Sequence, residues 1–231
     1  MNITRTSKFI LVACLLATTG LYFFYKVRTT AQFESLYLQN KNYALQTALF
    51  DLYATQQTDV VMLGNSLTQW VDWNELLGRK NIANRGIASD VTAGYLHRLD
   101  QIYRLKPKLC FIEGGINDLY AHVPVDAVVE NYVKIVEALQ AKNIIPIIQS
   151  TLFVSPKWHN AVEKNKEVAE LNNRLAEFAK EHSIEFINLN AVMSTNNLLR
   201  DELTHDGVHL TAAGYKIWGD EVGKILLRHG L

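Results

Sequence analysis

The chain has little cysteine and no surplus of either charge, and each shortage excludes something. Its two cysteines, Cys14 and Cys110, fall in an N-terminal apolar run and in an expected core strand. They have no disulfide partner within the chain and leave the redox compartment open. No Cys/His spacing resembles a structural zinc site. Lys plus Arg and Asp plus Glu stand at 23 each, so the basic excess that nucleic-acid binding demands is missing. Partners are expected among small molecules or glycans, with no nucleic acid. Internal repeats and low-complexity segments are absent too. At 231 residues the chain suits one sizeable core with an N-terminal appendage.

One long charge-free run is present, from Phe9 to Tyr25. Arg5 and Lys8 flank it on one side, Lys26 and Arg28 on the other, and it is about long enough to cross a bilayer. Residues 1–30 are expected to form a membrane signal-anchor. A cleaved signal peptide competes, opposed by the length of the run and by the lack of a small-x-small site before Tyr22-Phe23-Phe24. Lipidation at Cys14 within Leu11-Val12-Ala13-Cys14 also competes, opposed by the short apolar segment before it. The flanking charges nearly balance and set no orientation. An uncleaved export signal with a short basic start leaves the following domain outside the cytoplasm, which is the expectation. A secreted or periplasmic domain after signal cleavage is the alternative.

From Gln32 to Tyr53 the apolar residues Phe33, Leu36, Leu38, Tyr43, Ala44, Leu49 and Leu52 recur at helical spacing. Residues 31–57 are expected to be a helix that links the membrane to a domain over 58–231. Within that domain, strand-like runs occur at Val60–Leu63, Ile82–Asn84, Leu109–Glu113, Ile144–Gln149 and Ile184–Leu189. Helix-like stretches lie between and after them, at Val91–Leu105, Val125–Ala141, Asn160–His182 and Ala212–Arg228. Alternation of β and α over short links predicts an α/β fold, a parallel sheet covered by helices on both faces. Two loops exceed what the connections need: Gln69 to Asn81, with Trp70 and Trp73, and Ser150 to His159, with Phe153, Pro156 and Trp158. Both fall at the carboxyl ends of strands, where ligands approach such sheets. Their tryptophans suit substrate contact and core-edge lids equally.

The first apolar run stops at Gly64-Asn65-Ser66-Leu67-Thr68, which puts Ser66 where a nucleophile would stand. The second glycine of a G-x-S-x-G elbow is missing, which disfavours that family. The second run ends at Asn84-Arg85-Gly86 and the third at Gly114-Gly115-Ile116-Asn117-Asp118. Asp206-Gly207-Val208-His209 precedes the last helix. Acyl transfer needs a nucleophile, a base, a group orienting the base, and donors for the oxyanion. Residue types for all four roles are present.

These four blocks, in this order, resemble the SGNH hydrolases, the GDSL-type esterases and acylhydrolases, over nearly everything from Thr58 to Leu227. The resemblance implies a three-layer α/β/α, flavodoxin-like fold with a five-stranded parallel sheet. It implies Ser66 as nucleophile, His209 as general base and Asp206 as its orienting partner. It also implies an oxyanion hole from the backbone of Ser66 and Gly86 and the amide of Asn117. No metal and no cofactor are implied. A cluster of His205, Asp206 and His209 as metal ligands is the weaker reading, because Asp206 is better used on His209. The remaining histidines need no function. Two departures stand out: Asn65 replaces the Asp of the family's first block, and Ala88 stands where a second glycine is common. The expected activity is removal of a short acyl group, acetyl foremost, from a carbohydrate or related ester outside the cytoplasm. Lysophospholipid cleavage and glycan O-acetyl transfer are the alternatives.

Overall fold

The computed structural model describes Phe33 and residues 35–231. The expected anchor over residues 1–30, Cys14 with it, lies outside the described residues, as does the start of the linking segment. The five apolar runs become five strands: Val60–Gly64 (β1), Ile82–Gly86 (β2), Leu109–Ile112 (β3), Ile145–Gln149 (β4) and Glu185–Ile187 (β5). They pair in parallel in the order β2-β1-β3-β4-β5, the doubly wound, flavodoxin-like arrangement. β1 lies inside the sheet, and Val60 to Leu63 are all buried, as a strand covered on both faces must be. Burying each such side chain contributes about 1.5–3 kcal/mol.

The helices, in chain order, are Lys41–Leu52 (α1), Ser66–Gln69 (α2), Trp73–Leu77 (α3), Thr92–His97 (α4), Asp100–Tyr103 (α5), Ile116–Tyr120 (α6), Val125–Gln140 (α7), Ala161–Glu181 (α8), Asn190–Met193 (α9) and Ala212–Arg228 (α10). α7 packs on α4 and α8, while α10 packs with α3 and α9. Trp218 of α10 meets Trp73 of α3 edge to face at 5.1 Å and donates its indole N–H to Gln149 at the end of β4 at 2.6 Å. Among the described residues no helix is long and apolar enough to cross a membrane.

Two expected helices are broken, each by a side chain with other partners. The linking segment contains a short 3-10 turn, Leu36–Gln39, and restarts at Asn40, whose side chain accepts the Asn42 N–H and caps α1. The amide of Asn40 also donates to the Ala88 carbonyl at 2.8 Å, which pins the junction. The stretch Val91–Leu105 divides into α4 and α5 at Arg98, where φ is −121° and the guanidinium is turned inward. Late in the chain, Ser194–Thr195 (β6) and Leu198–Leu199 (β7) form a small antiparallel hairpin. Its turn residues Asn196 and Asn197 both have positive φ, the conformation a two-residue hairpin loop requires.

Candidate active site

The end of β1 makes the turn that presents Ser66. A side chain at Gly64 would lie 2.0 Å from Thr68 Oγ1, so only glycine lets α2 fold back over the strand end. Asn65 is fully buried. Its Oδ1 accepts the Leu67 N–H at 2.8 Å and caps α2, and its Nδ2 has no partner. Ser66 Oγ then lies 3.0 Å from His209 Nε2. His209 Nδ1 lies 2.6 Å from Asp206 Oδ2. A carboxylate only accepts, so Nδ1 carries the proton and Nε2 is free to accept from the serine.

Asp206 is fixed from its own loop. Its Oδ1 accepts the backbone N–H groups of Val208 at 2.9 Å and His209 at 2.8 Å. Burial alone would raise its pKa, but the hydrogen bonds from the His209 ring and these two amides, with the imidazole charge, lower it to about 2. The orienting carboxylate is therefore ionised at neutral pH.

Asn117 is the second residue of α6, and its amide donates to the Asp90 carbonyl at 2.9 Å. The neighbouring Asp118, buried, accepts the Thr92 hydroxyl at 2.6 Å, which ties the start of α6 to that of α4. Asn117 is thus tied to the segment that follows β2. Gly86, the donor expected there, is a correction: its N–H already donates to Asn84 Oδ1 at 2.8 Å. Its lack of a side chain serves packing, because a Cβ would lie 2.4 Å from the Gln69 nitrogen. The next amides are engaged as well, Ile87 with the Gly64 carbonyl, Ala88 with Gln69 Oε1, and Asp90 with the Ile87 carbonyl. Within this run the Ser89 N–H has no hydrogen-bond partner, and the residue sits at φ +61°, a left-handed conformation uncommon for a residue with a side chain. The free backbone donor is Ser89.

Three features were not legible beforehand. Arg98 and Asp90, both buried, form an ion pair at 2.9 Å directly behind the Ser89 turn. Glu113, immediately after β3, is fully buried with neither carboxylate oxygen paired, and burial pushes its pKa up to about 8. The tryptophans of the two long loops divide: Trp73 and Phe153 belong to the core, while Trp70 is exposed and stacks on the His209 ring at 4.1 Å. Trp158 is exposed and stacks on Tyr120.

His205, Asp206 and His209 bring ligand atoms within 4.8 Å of one another, a spacing that a divalent ion could bridge. Both nitrogens of His209 are, however, already committed, one to Ser66 and one to Asp206. A metal would have to displace one of them.

A parallel three-layer sheet that holds a Ser-His-Asp chain beyond its strand ends defines a hydrolase of the SGNH type. The chain belongs to the GDSL-like lipase/acylhydrolase family, whose model matches residues 58–217, and its domain is that of a GDSL/SGNH-type carboxylic ester hydrolase. It is similar to a GDSL-like lipase from Bacteroides thetaiotaomicron, with a TM-score of 0.71 and 24% identity over 81% of this chain and 98% of that one. An isoamyl acetate-hydrolyzing esterase from Saccharomyces cerevisiae is 27% identical over 66% of this chain and 71% of its own length. An N-acylneuraminate cytidylyltransferase from Streptococcus agalactiae is 24% identical over 72% of this chain. The chain spans only 40% of that relative's length, and cytidylyl transfer is not carried over from it.

Proposed function

We propose that the protein hydrolyses short-chain acyl esters, acetyl foremost, of a carbohydrate or related substrate, through an acyl-enzyme on Ser66. The observation that carries this reading is the unbroken chain Ser66 Oγ, His209 Nε2, His209 Nδ1, Asp206 Oδ2, with links of 3.0 and 2.6 Å. His209 takes the hydroxyl proton as Oγ attacks the ester carbonyl carbon. The Ser66 and Ser89 amides and the Asn117 side chain receive the oxyanion. The tetrahedral species collapses, and the departing alkoxide takes the proton from His209. Water, deprotonated in turn by His209, cleaves the acyl-serine and releases the acid. The acetate ester in the name of the yeast relative supports a small acyl group. The charge-free run from Phe9 to Tyr25 supports a tether that holds the domain at a membrane, on the side away from the cytoplasm.

The test is a series of p-nitrophenyl esters of rising chain length beside acetylated sugars, with Ser66→Ala as control. Cleavage of acetate and acetyl sugars by the wild type alone is expected. Equal cleavage by Ser66→Ala removes the serine mechanism, and preference for long chains removes the acetyl assignment. Membrane fractionation of the full chain, with protease protection of the domain, tests the tether and its sidedness.

A further inference from the structure

Of the four tryptophans in the chain, two are core residues and two are not. Trp73 and Trp218 are 1% and 0% exposed, whereas Trp70 and Trp158 are 54% and 37% exposed. Leaving so much indole in water forgoes about 25 cal/mol for every Å² that could have been buried. Both exposed indoles border the catalytic loop. Trp70 directly follows α2, and its ring lies 4.1 Å from that of His209 with the planes 20° apart. Trp158 stacks on Tyr120 at 4.9 Å with the planes 25° apart, and its backbone nitrogen packs 3.0 Å from where a Cβ on Gly207 would be. Gly207 is the neighbour of Asp206. Trp70 belongs to the connection between β1 and β2 and Trp158 to the loop after β4, so in the sheet order they flank the strand ends that carry Ser66 and Asn117.

Each indole is braced by a smaller ring, and its remaining exposure leaves area for a second partner. The chemistry of that partner follows from the surroundings. An indole face is electronegative and attracts polarised C–H groups laid flat against it. A pyranose offers such a face of C–H groups, with hydroxyls around its edge. A long acyl chain instead needs continuous apolar walls, whereas the groups joined to the two indoles are polar. The His205 and His209 rings lie stacked beside Trp70 at 6.4 and 4.1 Å, Ser66 and Asp206 hydrogen-bond His209, and the loop of Asp206 packs on the Trp158 backbone through Gly207. We infer that Trp70 and Trp158 are the two stacking platforms of a carbohydrate subsite, Trp70 for the ring that carries the ester and Trp158 for a neighbouring ring. This rests on the reading of the substrate as a sugar ester, and it names the residues that select it.

Two measurements on the full chain test it. The first compares kcat/KM for acetylated oligosaccharides with kcat/KM for p-nitrophenyl acetate, which lacks a sugar. The ratio of the two cancels any loss that Trp70→Ala causes by unbracing His209. The ratio is expected to fall about tenfold in Trp70→Ala and in Trp158→Ala, through KM, with partial recovery in the Phe variants. The second is calorimetric binding of deacetylated cello-, xylo- and chito-oligosaccharides and sialosides to Ser66→Ala, which needs no catalysis. Binding by at least one of these classes, lost when either Trp is also replaced by Ala, is expected. An unchanged ratio, or no binding by any class, overturns the subsite. A greater loss on p-nitrophenyl octanoate than on sugar esters also overturns it, by making the indoles acyl walls. Failure of the serine mechanism shows separately, as cleavage by Ser66→Ala, and leaves the binding measurement intact.

Discussion

Arg98 reaches across the end of the sheet to Asp90: its Nε donates to Asp90 Oδ2 at 2.9 Å, with both side chains buried. The same guanidinium donates to the carbonyls of Arg85 at 2.7 Å and Gly64 at 3.1 Å. One side chain therefore ties the last residue of β1, the end of β2 and the turn that carries Ser89. The Asp90 carbonyl in turn accepts from Asn117. The free Ser89 amide and the Asn117 amide are thus held by a common support that neither of them contains.

Breaking that pair leaves a buried charge without its partner. Arg98→Ala is predicted to cost about 3–5 kcal/mol, read from urea denaturation. Arg98→Met with Asp90→Asn is predicted to cost less than the sum of the two single changes, since it leaves no stranded charge. Additive losses would show that the pair does not act as a unit.

Asn65 occupies the one position beside the nucleophile where the family's first block is not followed. Its observed task is to accept the Leu67 N–H, which an Asp oxygen does equally well. Asn65→Asp is predicted to keep kcat/KM within about threefold, while Asn65→Ala removes the cap and costs about 1 kcal/mol of stability along with a larger share of kcat. Ester hydrolysis and thermal melting of the two variants check this.

What the sequence makes legible follows from which interactions are local. Val60–Leu63 reads as a strand because uninterrupted apolar residues have no other use at that length, and Asp206 and His209 are three residues apart on one loop. The choice between Gly86 and Ser89 is not local. Glycine suggests an open backbone, but whether an amide is free depends on the side chain two residues earlier, and Asn84 takes the Gly86 N–H. Ser89 adopts positive φ without being glycine, so composition gives no sign of it. The break at Arg98 is equally hidden, because a charged residue in a helical stretch reads as solvent-facing until its buried partners are in place. Trp70 and Trp73 are three residues apart, one closing α2 and the other opening α3, yet have opposite environments, and Trp73 owes its burial to packing against Trp218.

The distinction between Gly86 and Asn117 is measurable. Asn117→Ala removes a side-chain donor and is predicted to lower kcat about 10²–10³-fold. Gly86→Ala drives a Cβ against the Gln69 backbone and is predicted to act first on stability, lowering the melting temperature. A Gly86→Ala variant with native stability would contradict the packing role assigned here.

Glu113 makes stability depend on pH. The folded protein holds its proton up to about pH 8, whereas the ordinary value for the group is 4.5. Between those limits the native state binds more protons than the unfolded chain, so stability contributed by the neutral acid is present at low pH and is lost as pH rises. The slope from this one group approaches about 1.4 kcal/mol per pH unit. Glu113→Gln lacks it. The variant's advantage over the wild type in urea midpoint is predicted to grow from about pH 5 to about pH 8. A constant difference would mean that the carboxyl is paired.

Asp206→Asn separates the two tasks of the orienting residue. The Asn side-chain oxygen still accepts the Val208 and His209 amides that Asp206 Oδ1 accepts, so the loop and the position of the ring are kept. The second oxygen, which holds the proton on His209 Nδ1, becomes an NH₂ donor. It favours the tautomer with Nδ1 bare and the proton on Nε2, the atom that must accept from Ser66. The predicted result is a loss of roughly 10²–10⁴-fold in kcat with little change in KM, by analogy with the same change in serine proteases. Asp206→Ala, which also frees the two amides, is predicted to lose stability in addition. Steady-state kinetics with p-nitrophenyl acetate beside thermal melting resolves the two effects, and an Asp206→Asn variant that keeps wild-type kcat would remove Asp206 from the role of orienting His209.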